Sequence, residues 1–188
     1  MGEPARRFAT YEDLLQVPDH MIAEIIDGEL VTSPRPGARH TLASSVIGAD
    51  LVGHLGRGPG GTGGATGWWI LDEPELHLGV HILVPDLAGW KRERMPQVPD
   101  VAFFTLAPDW VCEVVSPRSS RMDRVRKKRI YAREGIGWLW IVDPNAQTLE
   151  VSRRAGDLWQ DAGSFEATDT ARAEPFSEIE IDLAGWWA

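Results

Sequence analysis

The sequence predicts an α/β chain in which a central mixed sheet is flanked by helices and preceded by an N-terminal helix and hairpin. Three observations carry that reading. Short β-rich runs recur from Glu24 to Ala162, two intervening stretches have helical spacing or helical charge, and Gly137-Trp-Leu-Trp-Ile-Val-Asp143 is a nearly unbroken apolar run of the kind a strand buried on both faces requires. With 188 residues and 43% hydrophobic content, one globular domain over 1–188 can bury a real core.

The elements follow in order. Thr10 can cap a short helix over Tyr11–Val17, with Asp13 at its third position. Glu24-Ile-Ile-Asp27-Gly28-Glu29-Leu-Val places two β-rich arms around Asp-Gly, a pair that tolerates positive φ in a tight turn. Over Ala38–Leu55 the spacing of Leu42, Val46, Ala49 and Val52 or Gly53 predicts a helix with those residues inward. Gly56 to Gly67 holds seven glycines, which end that helix; without a Gly-Lys-Ser/Thr ending they read as a flexible surface loop.

Strands are expected at Trp68–Leu71, Glu75–Leu78, His81–Trp90, Val101–Thr105 and 110–116, with a polar link over Lys91–Pro99. A basic helix over 118–133 leads to the apolar run ending at Asp143. Thr148–Arg153 and Leu158–Ala162 then form a hairpin around Ala155-Gly156-Asp157. Nine tryptophans are expected mainly in the core.

Charge and composition narrow the function. The net charge is -9, yet 118–133 carries eight basic residues (Arg118, Arg121, Arg124, Arg126, Lys127, Lys128, Arg129, Arg133) against Asp123 alone. Such a helix either binds phosphates or pairs with the protein's own acids. No stretch approaches the roughly 20 apolar residues that cross a bilayer. The single Cys112 and the polar start Met-Gly-Glu-Pro-Ala-Arg-Arg-Phe lead us to expect a cytoplasmic protein with no intrachain disulfide and no membrane partner.

Two carboxylates stand out because they interrupt apolar runs. Glu113 lies between Val111, Cys112, Val114 and Val115, where an ionised acid needs a cation beside it. Asp86 follows Pro85 in His81-Ile-Leu-Val-Pro-Asp86-Leu-Ala-Gly-Trp; its place within a strand-like run favours it over Asp100, at the end of a polar link, and Asp109 reads as structural. Acids on adjacent strands can share one hard cation such as Mg²⁺, which takes oxygen ligands at roughly 2.0–2.1 Å. His77 and His81 lie on β-like sequence with no His-Glu-x-x-His arrangement, so zinc is not expected there. Strand alternation puts Val111, Glu113 and Val115 on one face, so the place for a cation two residues beyond Glu113 is taken by valine.

Pro85-Asp86, Glu113 and the basic helix together resemble the PD-(D/E)XK nuclease superfamily, which has the restriction-endonuclease-like fold. The set Glu24-Ile-Ile-Asp27-Gly28, Pro34 to His40, Glu113-Val-Val-Ser-Pro117, Asp123-Arg124 with Lys127 and Tyr131, and Trp138 to Pro144 is similar to the bacterial group known as putative restriction endonucleases. The likeness spans roughly residues 11–155.

This resemblance implies a Mg²⁺-dependent endonuclease acting on DNA, with Mn²⁺ able to substitute, and Asp86 and Glu113 as metal ligands and catalytic acids. Val115 departs from the superfamily's lysine; Lys127, on one helix side with Asp123 and Tyr131, is the substitute it implies, the other reading being one more solvated charge. Glu24 is either a supporting catalytic acid or a surface acid of the hairpin. His40 is either a phosphate contact or a capping or core residue. Arg121, Arg124 and Lys128 are the expected DNA contacts, and a homodimer would address both strands. A catalytically idle interaction or nucleic-acid-binding module that keeps the fold is the alternative.

Overall fold

The computed structural model describes residues 7–56, 67–115 and 122–187, side chains at 122–124 excepted. Two sheets organise it. The larger has six strands in the order β10-β9-β8-β7-β6-β3, namely Leu158–Glu166, Thr148–Ala155, Trp138–Asp143, Trp110–Val114, Leu87–Lys91 and Trp68–Asp72. All of its pairings are antiparallel except β7 with β8, so the sheet is mixed as the sequence predicts. A parallel pair needs a long crossover, and the basic segment supplies it. The smaller sheet, β2-β1-β5-β4, comprises Glu29–Pro34, Met21–Ile26, His81–Leu83 and Leu76–Leu78.

Alternation along β7 sorts the core into two layers. Trp110, Cys112 and Val114 pack with helix α2 (Ala38–Leu51) and with the C-terminal Phe176, Leu183 and Trp186. Val111 and Val115 face the other way, onto a layer built from Ile26, Leu76 and Leu83 of the small sheet and Ile130 and Tyr131 of helix α3 (Lys128–Arg133). Glu113 belongs to this second face, and the layer over it therefore shapes its surroundings.

Local signals set several elements. Thr10 forms a full capping box with Asp13 on helix α1, which is shorter than predicted, Tyr11–Leu14, and continues as turns up to Val17 before Pro18. At the predicted hairpin turn, Asp27 and Gly28 have φ of 53° and 76°. Any side chain at Gly28 would also strike the Phe8 ring.

Other expectations are corrected. Helix α2 buries Ala43, Ser44, Ile47 and Leu51; of the residues expected inward only Val46 packs partly against the core, while Leu42 is 41% exposed and Val52 and Ala49 lie outward. Two apolar stripes run along this helix, and packing beneath it selects the one that periodicity alone did not favour. The helix passes into a π-helical turn at Val52–Gly56. His81–Trp90 is not one strand: Val84-Pro85-Asp86 breaks it, and the chain crosses from the small sheet to the large one, so Asp86 sits at the bend before β6. Val101–Thr105 contributes a single bridge, Phe104 to Leu76.

The basic helix is π-helical over Met122–Lys127 before α3 begins. The glycine tract over 57–66 and residues 116–121 lie outside the described residues. Strands β11 (Thr170–Ala171) and β12 (Ile181–Asp182) and the 3-10 turn Leu183–Trp186 lie beyond the predicted elements. Among the described residues no helix is long and apolar enough to cross a membrane.

Candidate active site

Glu113 projects from β7 into the layer between the sheets and is 2% exposed. Burial of that charge demands partners, and the crossover segment brings them. Lys127 Nζ lies 3.1 Å from Glu113 Oε1 and 3.3 Å from Oε2, and the Tyr131 hydroxyl donates to Oε1 at 2.5 Å. Lys127 and Tyr131 therefore reach the same carboxylate from one side of the segment, as their four-residue spacing predicts.

Glu24 completes the constellation. It is buried, not the surface acid its place on a hairpin allows, and its Oε1 is 2.9 Å from Lys127 Nζ. The same oxygen accepts the Val84 N–H at 2.8 Å, and the Val84 carbonyl lies 3.5 Å from Lys127 Nζ. Glu24 thus holds the chain immediately before Pro85-Asp86, while β1 pairs with β5 at Ile25 and Ile82.

Asp86 is fixed from two sides. Its Oδ2 accepts the Val114 N–H at 2.7 Å, and its Oδ1 lies 2.6 Å from His40 Nε2. The pairing of Leu87 with Cys112 sets β6 beside β7, so the bend that carries Asp86 lies next to the β7 segment that carries Glu113. His40 stands in the first turn of α2, facing inward to Asp86, and Ser44 follows on the same helix face. Ser44 hydrogen-bonds Asp72 at the exposed end of β3, whose pKa is shifted upward by partial loss of hydration first and by the Asp86 charge second.

Acidic charge therefore predominates at this end of the sheet. Burial, with Asp86 and Glu113 nearby, pushes the Cys112 thiol well up, and burial with Glu113 does the same to the Tyr131 hydroxyl. Both remain protonated at neutral pH. Tyr131 is then a permanent donor to Glu113.

The crossover segment spends much of its charge on the protein itself. Arg126 donates to the Ile26 carbonyl at 2.9 Å and pairs with Asp27 and Glu29, Arg133 lies 3.7 Å from Asp27, and Lys128 donates to Ser152 at 3.1 Å. Arg121 and the Arg124 side chain lie outside the described residues. Asp109 is structural: it accepts the Lys91 N–H and pairs with Arg94. Asp100 is exposed in a loop.

The structure thus brings Glu24, Asp86, Glu113, Lys127 and His40 to one end of the sheet, with Asp86 held by His40 and Glu24 and Glu113 joined through Lys127. Sequence reasoning missed Asp72, Ser44 and the hairpin clamp of Arg126. Asp72 closes an apolar strand just as Glu113 interrupts one, and Ser44 follows His40 by one helical turn; both patterns were available but common.

The family Uma2, described as "Putative restriction endonuclease", matches residues 8–184. A solved structure described as a putative nuclease belonging to DUF820, from Anabaena variabilis, superposes with a TM-score of 0.76 at 22% identity, covering 95% of this chain and 97% of that one. At that identity the likeness establishes the mixed α/β fold. No curated protein matches the chain.

Proposed function

The chain belongs to the Uma2 family, and from that premise we propose that it is a metal-dependent endonuclease hydrolysing DNA phosphodiester bonds, a single domain over 1–188 with the restriction-endonuclease-like fold. One observation carries the reading: two buried acids from different sheets, Glu24 and Glu113, share one buried lysine from a third element, and Asp86, at the bend before β6, accepts the N–H of Val114, the residue after Glu113. A structural ion pair needs one acid. The surplus of carboxylates supports a place for a further cation.

The donor set suits a hard ion. Among the described residues no three His, Cys, Asp or Glu side chains stand close enough together to hold a metal by themselves. Two carboxylates are what Mg²⁺ ordinarily takes from protein, keeping several waters and accepting substrate phosphate. Asp86 and Glu113 would hold it, with Mn²⁺ able to substitute; when bound it lowers the pKa of a water and offsets charge on the phosphate.

The chain's own groups have separable tasks. The Val114 N–H and His40 fix the Asp86 carboxylate, leaving lone pairs for a cation. Lys127 supplies the positive charge that Val115 cannot, stabilising charge that develops on the phosphate oxygens. Glu24 orients Lys127 and serves as a supporting acid. His40 is engaged with Asp86 through Nε2, and its Nδ1 is buried, so its task is to hold that acid and not to contact a phosphate; Arg121, Arg124 and Lys128 bind the duplex backbone. A homodimer would present two such sites to two strands.

One observation favours a catalytically idle interaction or nucleic-acid-binding module: Lys127 already neutralises part of the acid cluster, and Arg126 and Arg133 are paired with Asp27. Plasmid DNA with Mg²⁺ or Mn²⁺ separates the readings. The nuclease nicks or linearises it, and Asp86→Ala and Glu113→Ala each abolish cleavage while the fold persists. Cleavage at near wild-type rate in either variant overturns the site, and inertness of the wild type with both ions favours the idle module.

A further inference from the structure

Within the site, Lys127 and Tyr131 treat Glu113 differently. The Lys127 ammonium stands 3.1 and 3.3 Å from the two carboxylate oxygens, nearly equidistant, so it holds the group in place without fixing its rotation. Tyr131 selects one oxygen, donating to Oε1 at 2.5 Å. The tyrosine cannot drift: its ring is wholly buried, and its carbonyl accepts the Ile136 N–H at 3.0 Å. A neutral donor also adds no positive charge that would oppose an incoming cation.

We infer that Tyr131 is a positioning residue for the metal site, its hydroxyl holding Glu113 through Oε1 and so fixing the orientation in which the carboxylate would receive a cation. The inference rests on the metal-dependent reading above. Hydrogen-bond partners of a ligating carboxylate commonly contribute 10–100-fold in metal affinity. Tyr131→Phe keeps the ring and its packing and removes only that bond.

The test uses Mn²⁺ alone, counted as free ion by electron paramagnetic resonance, alongside cleavage rates over a range of Mn²⁺. Tyr131→Phe should need roughly 10-fold or more Mn²⁺ for half-saturation, with the rate at saturating ion within a few-fold of wild type. A merely structural tyrosine would lower the melting temperature without moving half-saturation of the folded fraction. Wild-type half-saturation in a folded Tyr131→Phe overturns the inference alone. A wild type that neither binds Mn²⁺ nor cleaves overturns the metal-site reading, and this inference with it.

A second measurement covers a variant that does not fold. The chain has two tyrosines, so in a Tyr11→Phe background ring-labelled tyrosine gives one Tyr131 signal. Mg²⁺ should shift that signal along the same saturation curve as cleavage; an unmoved signal in an ion-dependent enzyme overturns the inference.

Discussion

Lys127 Nζ lies 3.1 Å from Glu113 Oε1 with both side chains almost wholly removed from water. Glu24 shares the same ammonium at 2.9 Å. Burying three charges costs desolvation that their attraction only partly returns, whereas deleting one partner leaves the others uncompensated. Lys127→Met should therefore destabilise the metal-free protein by about 3–5 kcal/mol at neutral pH, read by urea denaturation in EDTA. Adding Glu113→Gln to that variant should restore part of the loss. Wild-type stability in Lys127→Met would mean that the pair contributes nothing to the fold.

His81 ties the hairpin turn to the pH. It is buried, and its Nδ1 accepts the Asp27 N–H at 3.1 Å, which requires that nitrogen to be unprotonated. Burial lowers its pKa below the usual 6.5, outweighing the opposing pull of Asp27 and Glu134. As pH falls through 6.5 the unfolded chain takes up the proton first, so this contribution is complete above 6.5 and is lost toward the folded value. Unfolding free energy should drop between about pH 7.5 and 5.5, and His81→Gln should flatten that drop. An identical slope in the two proteins would mean that His81 does not contribute to the pH dependence.

Arg126 clamps the same turn, donating to the Ile26 carbonyl and pairing with Asp27 and Glu29. These carboxylates are part exposed, which discounts their Coulombic share. Arg126→Gln should cost about 1–2 kcal/mol, and Arg126→Lys should recover little because a point charge cannot serve three acceptors with one fork. Full recovery by lysine, in thermal melts, would reduce the clamp to simple charge.

The site and the fold were legible in unequal measure. Where a signal is local, sequence suffices: Asp27-Gly28 defines its turn, Thr10 with Asp13 its cap, and alternation places Val111, Glu113 and Val115 together. The four-residue step from Lys127 to Tyr131 likewise survives, although a π-helical turn precedes it. Burial of Glu24 was not legible, because it depends on Val84 and Lys127, far along the chain.

The apolar run His81–Trp90 hides a passage between sheets that only Pro85 betrays. Helix α2 offers two apolar stripes, and the partner surface chooses between them. The C-terminal segment has no period to read: Ala171, Phe176, Ile181, Leu183 and Trp186 are buried at irregular spacings against the tryptophans of β7 and β8.

DNA binding has its own test. If the basic segment meets phosphates, duplex affinity falls steeply with salt, and replacing Arg121, Arg124 and Lys128 by Gln should lower the logarithmic salt slope by roughly 3, about one per lost contact. Fluorescence anisotropy over a range of salt concentrations reads this directly. An unchanged slope would place the phosphate contacts elsewhere.

In the proposed nuclease Lys127 supplies the positive charge that Val115 cannot, and single-turnover cleavage at saturating DNA and metal distinguishes that role from a purely structural one. Lys127→Met, at a temperature where it remains folded, should slow the chemical step by roughly two orders of magnitude or more with little change in DNA affinity, because a preorganised charge on the transition state contributes about that much. Lys128→Met, one residue away, should weaken DNA binding modestly and leave the saturated rate unchanged. Equal and small effects of the two substitutions in an active enzyme would mean that Lys127 is one more charge of the basic segment and that the cationic catalyst lies elsewhere.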